Sequence, residues 1–285
     1  MLEVMRVELA GRQPLLRRDV RVSTAEEGSL VLDARKLIFA SPLDLAGIVA
    51  LAHAAAAEQA SVALVLPQDP GVASYVQRMD VIRRMPAGTE ILGSLPPEQR
   101  TDCSGTLLEV SPLSPSTTQD LVNRLGQLAA ARFEPRVAAL AFRGSGELLD
   151  NAVSHGQSQR GAFISAQAYT GTKSRRPGFE FAVCDTGIGV LAHLRRNPSY
   201  RDIPDAPSAL ARAIQPGVTG TGELRGYGLA DLLEITHGGG VGRLVLRSGR
   251  GIASVALRSQ SRNEVFATAS PPITGTWAWL RVRFP

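Results

Sequence analysis

Apolar and polar residues alternate in three short stretches near the start of the chain: VMRVEL, RDVRVS and SLVLDA. A period of two predicts strands. The pattern then changes to helix-forming sequence from about Pro42 to Gln59. SVALVLP is short and almost wholly apolar, which predicts a strand buried on both faces. GVASYVQRMDVIRRM sets Val72, Tyr75, Val76, Met79 and Ile82 on one side of a second helix. This β-β-β-α-β-α order predicts a small sheet with helices packed on it.

A cluster of Ser, Thr and Pro at SPLSPSTT, residues 111–118, reads as a linker and helix cap. Two helices are expected next, at about 117–132 and about 135–155, the second with Pro135 in its first turn. AFISAQAY and FEFAVCD read as strands, and a loop-rich stretch is expected from about Ile188 to Arg225. A helix at GLADLLEITH and three strands, GRLVLRS, IASVALRS and TWAWLRVRF, complete the chain. The first two of these strands read as a hairpin joined by SGRG.

The 285 residues favour two domains, and a 44% hydrophobic content is ample for one or two packed cores. The +5 formal charge first suggests an acidic partner. The arginines are scattered, however, and no nucleic-acid module is recognisable, which argues against nucleic acid. Cys103 and Cys184 are far apart and lack metal-ligand spacing, which fits a reduced, cytoplasmic compartment. MLEVMRVELAGRQPLLRR is interrupted by charges, unlike a signal peptide. The alanine-rich run around His53 reads as a buried helix rather than a membrane span.

Four stretches carry candidate chemistry. In GELLDNAVSHG, Glu147, Asn151 and His155 recur every four residues and so share one face of a helix. The amide oxygen of Asn151 suits Mg2+, a hard cation that prefers oxygen donors. The carboxylate of Glu147 can deprotonate an attacking water or hydroxyl. In CDTGIGV, a strand runs into Asp185, and Gly187 and Gly189 let the backbone approach a flat ligand closely. An ionised aspartate only accepts hydrogen bonds, which suits the exocyclic amine of adenine. In GVTGTGELRGYGLADL, residues 217–232, a loop rich in Gly and Thr precedes a helix. Its backbone N–H groups suit phosphates, with Thr219, Gly226, Gly228 and Leu229 as the candidate contacts and Arg225 as an added charge. It is neither a Walker A loop nor a Rossmann fingerprint. The fourth stretch is Thr274-Gly275-Thr276, where a hydroxyl at Thr276 could reach a base or its bound water.

In this order the four stretches resemble the GHKL ATPase family, which includes gyrase-type ATPases, heat-shock chaperones, histidine kinases and mismatch-repair ATPases. Glu147 and Asn151 resemble its N-box, Asp185, Gly187 and Gly189 its G1 box, Gly226, Gly228 and Leu229 its G2 box, and Gly275 and Thr276 its final Gly-Thr box. The resemblance covers about residues 117–285. It implies a Bergerat-type α/β sandwich: a mixed sheet with helices on one face, and ATP held between the sheet and a lid at about 190–225. It further implies ATP and Mg2+ as cofactors, Asn151 as the metal ligand and Glu147 as the catalytic base. Asn-Ala-Val-Ser-His-Gly at 151–156 is similar to anti-sigma-factor serine kinases and to histidine kinases. The lid departs from the pattern, because Gly226-Tyr227-Gly228-Leu229-Ala230 lacks a second Gly-Leu.

Residues 1–112 resemble a STAS-like domain of the anti-sigma-antagonist type. Ser41 falls near the serine that such domains offer for phosphorylation, but in the context Ala40-Ser41-Pro42-Leu43. The simpler reading of Ser41 is a helix N-cap with Pro42 at the first helical position. The expectation is therefore a cytoplasmic α/β protein with a STAS-like regulatory domain at 1–112 and a GHKL ATP-binding domain at 117–285. It would hydrolyse ATP or transfer phosphate to a serine or threonine of a protein partner. A non-catalytic ATP-dependent switch and a histidine-kinase-like core stand as alternatives. A homodimer is compatible with the family, and no membrane role is expected.

Overall fold

Helix α1 (Pro42–Ala57) is buried along almost its whole length, from Pro42 to Ala55, with only His53 partly open among those residues. A helix with no polar face must be covered on all sides. In this computed structural model two sheets do so. The described residues are 3–20, 28–98, 101–154, 161–169, 177–215, 217–218, 240–258 and 264–283. The expected helix at GLADLLEITH and the second half of the strand at RDVRVS lie outside them.

The first sheet is parallel. Its strands are β1 (Glu3–Glu8), β3 (Gly28–Asp33), β5 (Ser61–Val65) and β6 (Glu90–Leu92), in the order β1-β3-β5-β6. Val7, Leu30, Leu32, Val62 and Leu64 are buried in the same core as α1. Short strands β2 (Gly11–Arg12) and β4 (Leu37–Phe39) pair separately. The second expected helix is divided into α2 (Pro70–Arg78) and α3 (Val81–Arg84), because Asp80 takes the left-handed φ of 59° between them.

The second sheet is antiparallel and contains β7 (Leu107–Leu113), β8 (Ala162–Tyr169), β9 (Gly178–Asp185), β10 (Val241–Arg258) and β11 (Val265–Arg283). The described residues are thus α/β, with one parallel and one antiparallel main sheet. β7 includes Ser111–Leu113, where the Ser and Pro content suggests a linker. As the edge strand beside β8, it tolerates Pro112.

β10 turns back on itself. Arg243 Nε donates to Ser254 Oγ at 3.0 Å. A Cβ on Gly242 would lie 3.2 Å from Leu257 Cδ1. In a straight strand residues eleven apart would be separated by roughly 36 Å. The turn falls at Gly249, whose φ is 53°, so the hairpin expected at SGRG is present. β11 lines both arms: residues 276–283 pair with 241–248, and 265–269 pair with 251–255. Between these halves the chain passes the hairpin tip, where Ile273 pairs with Gly249.

Helices α4 (Thr118–Ala130) and α5 (Pro135–Ser154) share a core with one face of this sheet, through Leu125, Leu128, Leu140 and Leu149 against Ile164, Phe179, Phe181 and Leu280. The opposite face, with Phe163, Ala182, Cys184, Trp277 and Trp279, shares the core of α1. Both faces are thus covered, one by α4 and α5 and the other by α1 from the N-terminal part of the chain. A Cβ on Gly47 of α1 would sit 2.8 Å from Leu15 Cδ1 and 3.3 Å from Trp277 Cζ3, so only glycine allows this approach without a shift. Polar bonds cross the same boundary. Ser165 Oγ donates to the Pro42 carbonyl at 2.9 Å, and Tyr75 donates to Gln167 Oε1 at 2.9 Å. Buried Glu180 accepts from Tyr169 at 2.6 Å and from Trp279 Nε1 at 2.7 Å, while burial pushes its carboxyl up.

The expected loop from Ile188 contains α6 (Gly189–Leu194) and α7 (Ala206–Ala213). Asp205 caps α7 by accepting the Ser208 N–H at 2.8 Å. Leu210 and Ile214 are buried against the sheet, and a Cβ on Gly251 would meet Ala206 and Pro207 backbone atoms at 2.9 Å. This part of the expected lid is packed on the hairpin.

Candidate functional site

Asp185 ends β9, a strand in which all eight residues are buried. The apolar run FEFAVC delivers a carboxylate to the end of the sheet, where Asp185 is 5% exposed. Its Oδ1 accepts two backbone N–H groups, from Gly187 at 2.8 Å and from Thr276 at 3.2 Å. Its Oδ2 takes no hydrogen bond from the described residues. Burial raises the Asp185 pKa to about 6, against the lowering effect of the two N–H donors.

Two glycines make the close approach possible. Gly275 has φ 80°, and a Cβ there would lie 2.1 Å from the Asp185 carbonyl oxygen. Gly189 has φ 78°, and a Cβ there would lie 2.8 Å from Ser248 Oγ. Both positions need glycine for conformation and for space. The structure therefore brings Asp185, Gly187, Gly189, Gly275 and Thr276 together from two separate stretches. Thr186 Oγ1 donates to the Gly161 carbonyl at 3.0 Å, and Ala162 pairs with Asp185. The chain leaving α5 thus enters β8 beside this cluster.

Ser248 completes the cluster and carries no motif of its own. Its Oγ accepts the Val190 N–H at 2.9 Å and donates to the Gly275 carbonyl at 2.9 Å. Thr276 Oγ1 lies 3.2 Å away. These partners are remote in sequence, so the only signal was Ser248's place at the hairpin turn.

Glu147 and Asn151 lie one turn apart on α5, where Leu148, Leu149 and Ala152 face the core. Glu147 is half-buried and Asn151 exposed. Neither is among the hydrogen-bond partners of Asp185. His155, Thr219, Arg225, Gly226, Gly228, Leu229 and His237 lie outside the described residues. Among the described residues, no group of three or more His, Cys, Asp or Glu side chains is arranged to hold a metal.

The remaining candidates have structural roles. Ser41 is fully buried and caps α1; its Oγ donates to Asp44 Oδ2 at 2.6 Å. Asp44 also accepts the Ser41 and Leu15 N–H groups, and burial raises its pKa to about 6. The N-cap reading of Ser41 is therefore met. His53 Nε2 lies 2.8 Å from the Arg84 carbonyl, and its ring packs on Phe163. Trp277 and Trp279 are core residues.

Beside Ser248, Arg247 is 1% exposed. It donates to the carbonyls of Leu15 at 3.3 Å, Val20 at 3.0 Å and Pro271 at 3.3 Å. Burial lowers its pKa to about 10, with no carboxylate partner among the described residues. No helix among the described residues is long and apolar enough to cross a membrane. No protein-family model matches the chain, and no curated protein or solved structure matches it either.

Proposed function

We propose that this chain is a Mg·ATP-binding regulatory protein of the GHKL type, acting in the cytoplasm, with a Bergerat-type nucleotide domain at 117–285 and a STAS-like layer at 1–112. One observation carries the reading: Asp185 Oδ1 is held by Gly187 and Thr276, so two stretches first linked by their resemblance meet at one buried acceptor. The Asp185 Oδ2, which takes no hydrogen bond from the described residues, suits the adenine amine. Asn151, with an exposed amide, would hold Mg2+ together with phosphate oxygens, since Mg2+ usually takes few protein ligands. Glu147 would act as base toward a water or a partner's serine or threonine hydroxyl. The phosphate contacts would come from Thr219, Gly226, Gly228 and Leu229.

The non-catalytic switch also has support. Arg247 ties Leu15 and Val20 of the N-terminal layer to Pro271, and its neighbour Ser248 bonds directly to the cluster. Nucleotide-dependent changes at the cluster would reach a protein partner through that tie.

Incubation with γ-labelled ATP and Mg2+ tests the proposal. Labelled phosphate, free or on a protein, is expected from the unmutated chain and is lost in Glu147→Ala while ATP still binds. ATP binding without either product favours the switch. Absence of ATP binding overturns both readings.

A further inference from the structure

Ser248 has a fully used hydroxyl. A serine hydroxyl offers one donor and two acceptor positions. The donor goes to the Gly275 carbonyl at 2.9 Å, and one acceptor position takes the Val190 N–H at 2.9 Å. The remaining acceptor position faces Thr276 Oγ1 at 3.2 Å. With its own proton committed to Gly275, Ser248 can bond to Thr276 only by accepting the threonine proton. The Thr276 hydroxyl is then left with lone pairs alone for a ligand. Asp185 Oδ2 is likewise an acceptor in its ionised form.

We propose that Ser248 is a specificity-determining positioning residue, fixing the Thr276 hydroxyl as an acceptor so that the cluster takes nucleobases presenting an amine and rejects those presenting a carbonyl. This rests on the reading of Asp185 as a nucleobase acceptor. Ser248 is 2% exposed, so it acts through Thr276 and does not reach the ligand itself. A carbonyl oxygen brought to two acceptors would have no donor to meet, which costs more than a lost contact. Without Ser248, the Thr276 hydroxyl can rotate and donate to that carbonyl.

Affinities for ATP and for inosine triphosphate, which carries a carbonyl in place of the adenine amine, test this in the full chain. The unmutated protein should prefer ATP. Ser248→Ala should narrow the preference by about tenfold, chiefly by improving inosine triphosphate binding, a gain that general loosening of the fold would not give. Thr276→Val, at a half-buried position of similar volume, should also narrow it, by weakening ATP. In the Thr276→Val background, Ser248→Ala should change the ratio no further. If the unmutated chain binds ATP and Ser248→Ala keeps the original ratio, the role of Ser248 is refuted while the site reading stands. Should Ser248→Ala not fold, an unchanged ratio in Thr276→Val refutes it equally. If the unmutated chain binds neither nucleotide, the site reading fails and the Ser248 role with it.

Discussion

The Thr276 backbone N–H donates to Asp185 Oδ1 at 3.2 Å across 91 positions of sequence. The contact is possible because residue 275 has no side chain: a Cβ there would overlap the Asp185 carbonyl oxygen at 2.1 Å and its carbon at 2.6 Å. Gly275→Ala must therefore separate β11 from the end of β9 and also adopt a φ of 80°. A loss of more than about 2 kcal/mol in unfolding free energy is expected. Chemical denaturation measures it, and a cost within experimental error of zero would contradict the close approach.

Asp185 gives the protein two pH dependences of opposite sign. Its pKa is about 6 in the folded chain against 3.8 for an ordinary aspartate. A raised pKa contributes stability below pH 3.8 that is lost as pH rises through 6. Asp185→Asn lacks the ionisable group, so over that window its stability should rise relative to the unmutated chain, by on the order of 2–3 kcal/mol. Asp44, also near 6, contributes a parallel loss in both proteins. Nucleotide binding runs the other way: a base amine favours the carboxylate, so ATP affinity should fall as pH drops below about 6. Denaturation and binding titrations between pH 4 and 8 check both signs.

Ser41 and Asp44 should behave as a buried cap. Ser41→Ala removes the bond its Oγ donates to Asp44 Oδ2 and the one it accepts from the Asp44 N–H, and is expected to cost about 1–2 kcal/mol. Asp44→Ala strips the acceptor from the Ser41 N–H, the Ser41 hydroxyl and the Leu15 N–H, and should cost about 3 kcal/mol or more. Because Ser41 is fully buried, folded protein should resist phosphorylation there. Mass spectrometry after incubation with ATP checks this; stoichiometric phosphate on Ser41 would contradict it.

Arg247→Met should destabilise the chain by about 2–4 kcal/mol, since it leaves three carbonyls without their shared donor. Hydrogen exchange should show the largest loss of protection at residues 14–20 and 270–275, on either side of the lost bonds. A uniform loss across both sheets would argue against a local tie.

Much of this architecture was legible in local pattern. The FEFAVC run places Asp185 at the end of a buried strand, and SGRG marks the β10 turn. The helical spacing of α5 holds from Pro135 to Ser154. Other features were signalled but outweighed. Leu107, Leu108, Val110 and Leu113 have the apolar content of a strand, but Pro112 and the serines around it read as a linker; the edge position removes that objection. Asp205 and Pro207 mark the start of α7 within a stretch that reads as loop. The covering of both sheet faces was not legible, because an alanine-rich helix is equally apolar toward either neighbour. Ser248 was not legible either, since its partners Gly275 and Val190 are 27 and 58 positions away.

The most direct test of the account is equilibrium binding of ATP with Mg2+ to the unmutated protein and to Asp185→Ala, with circular dichroism to confirm that the variant is folded. Saturable binding by the unmutated chain and loss of at least about tenfold in affinity in the variant are expected. Equal ATP affinity in the two proteins would contradict the assignment of Asp185 to the nucleobase.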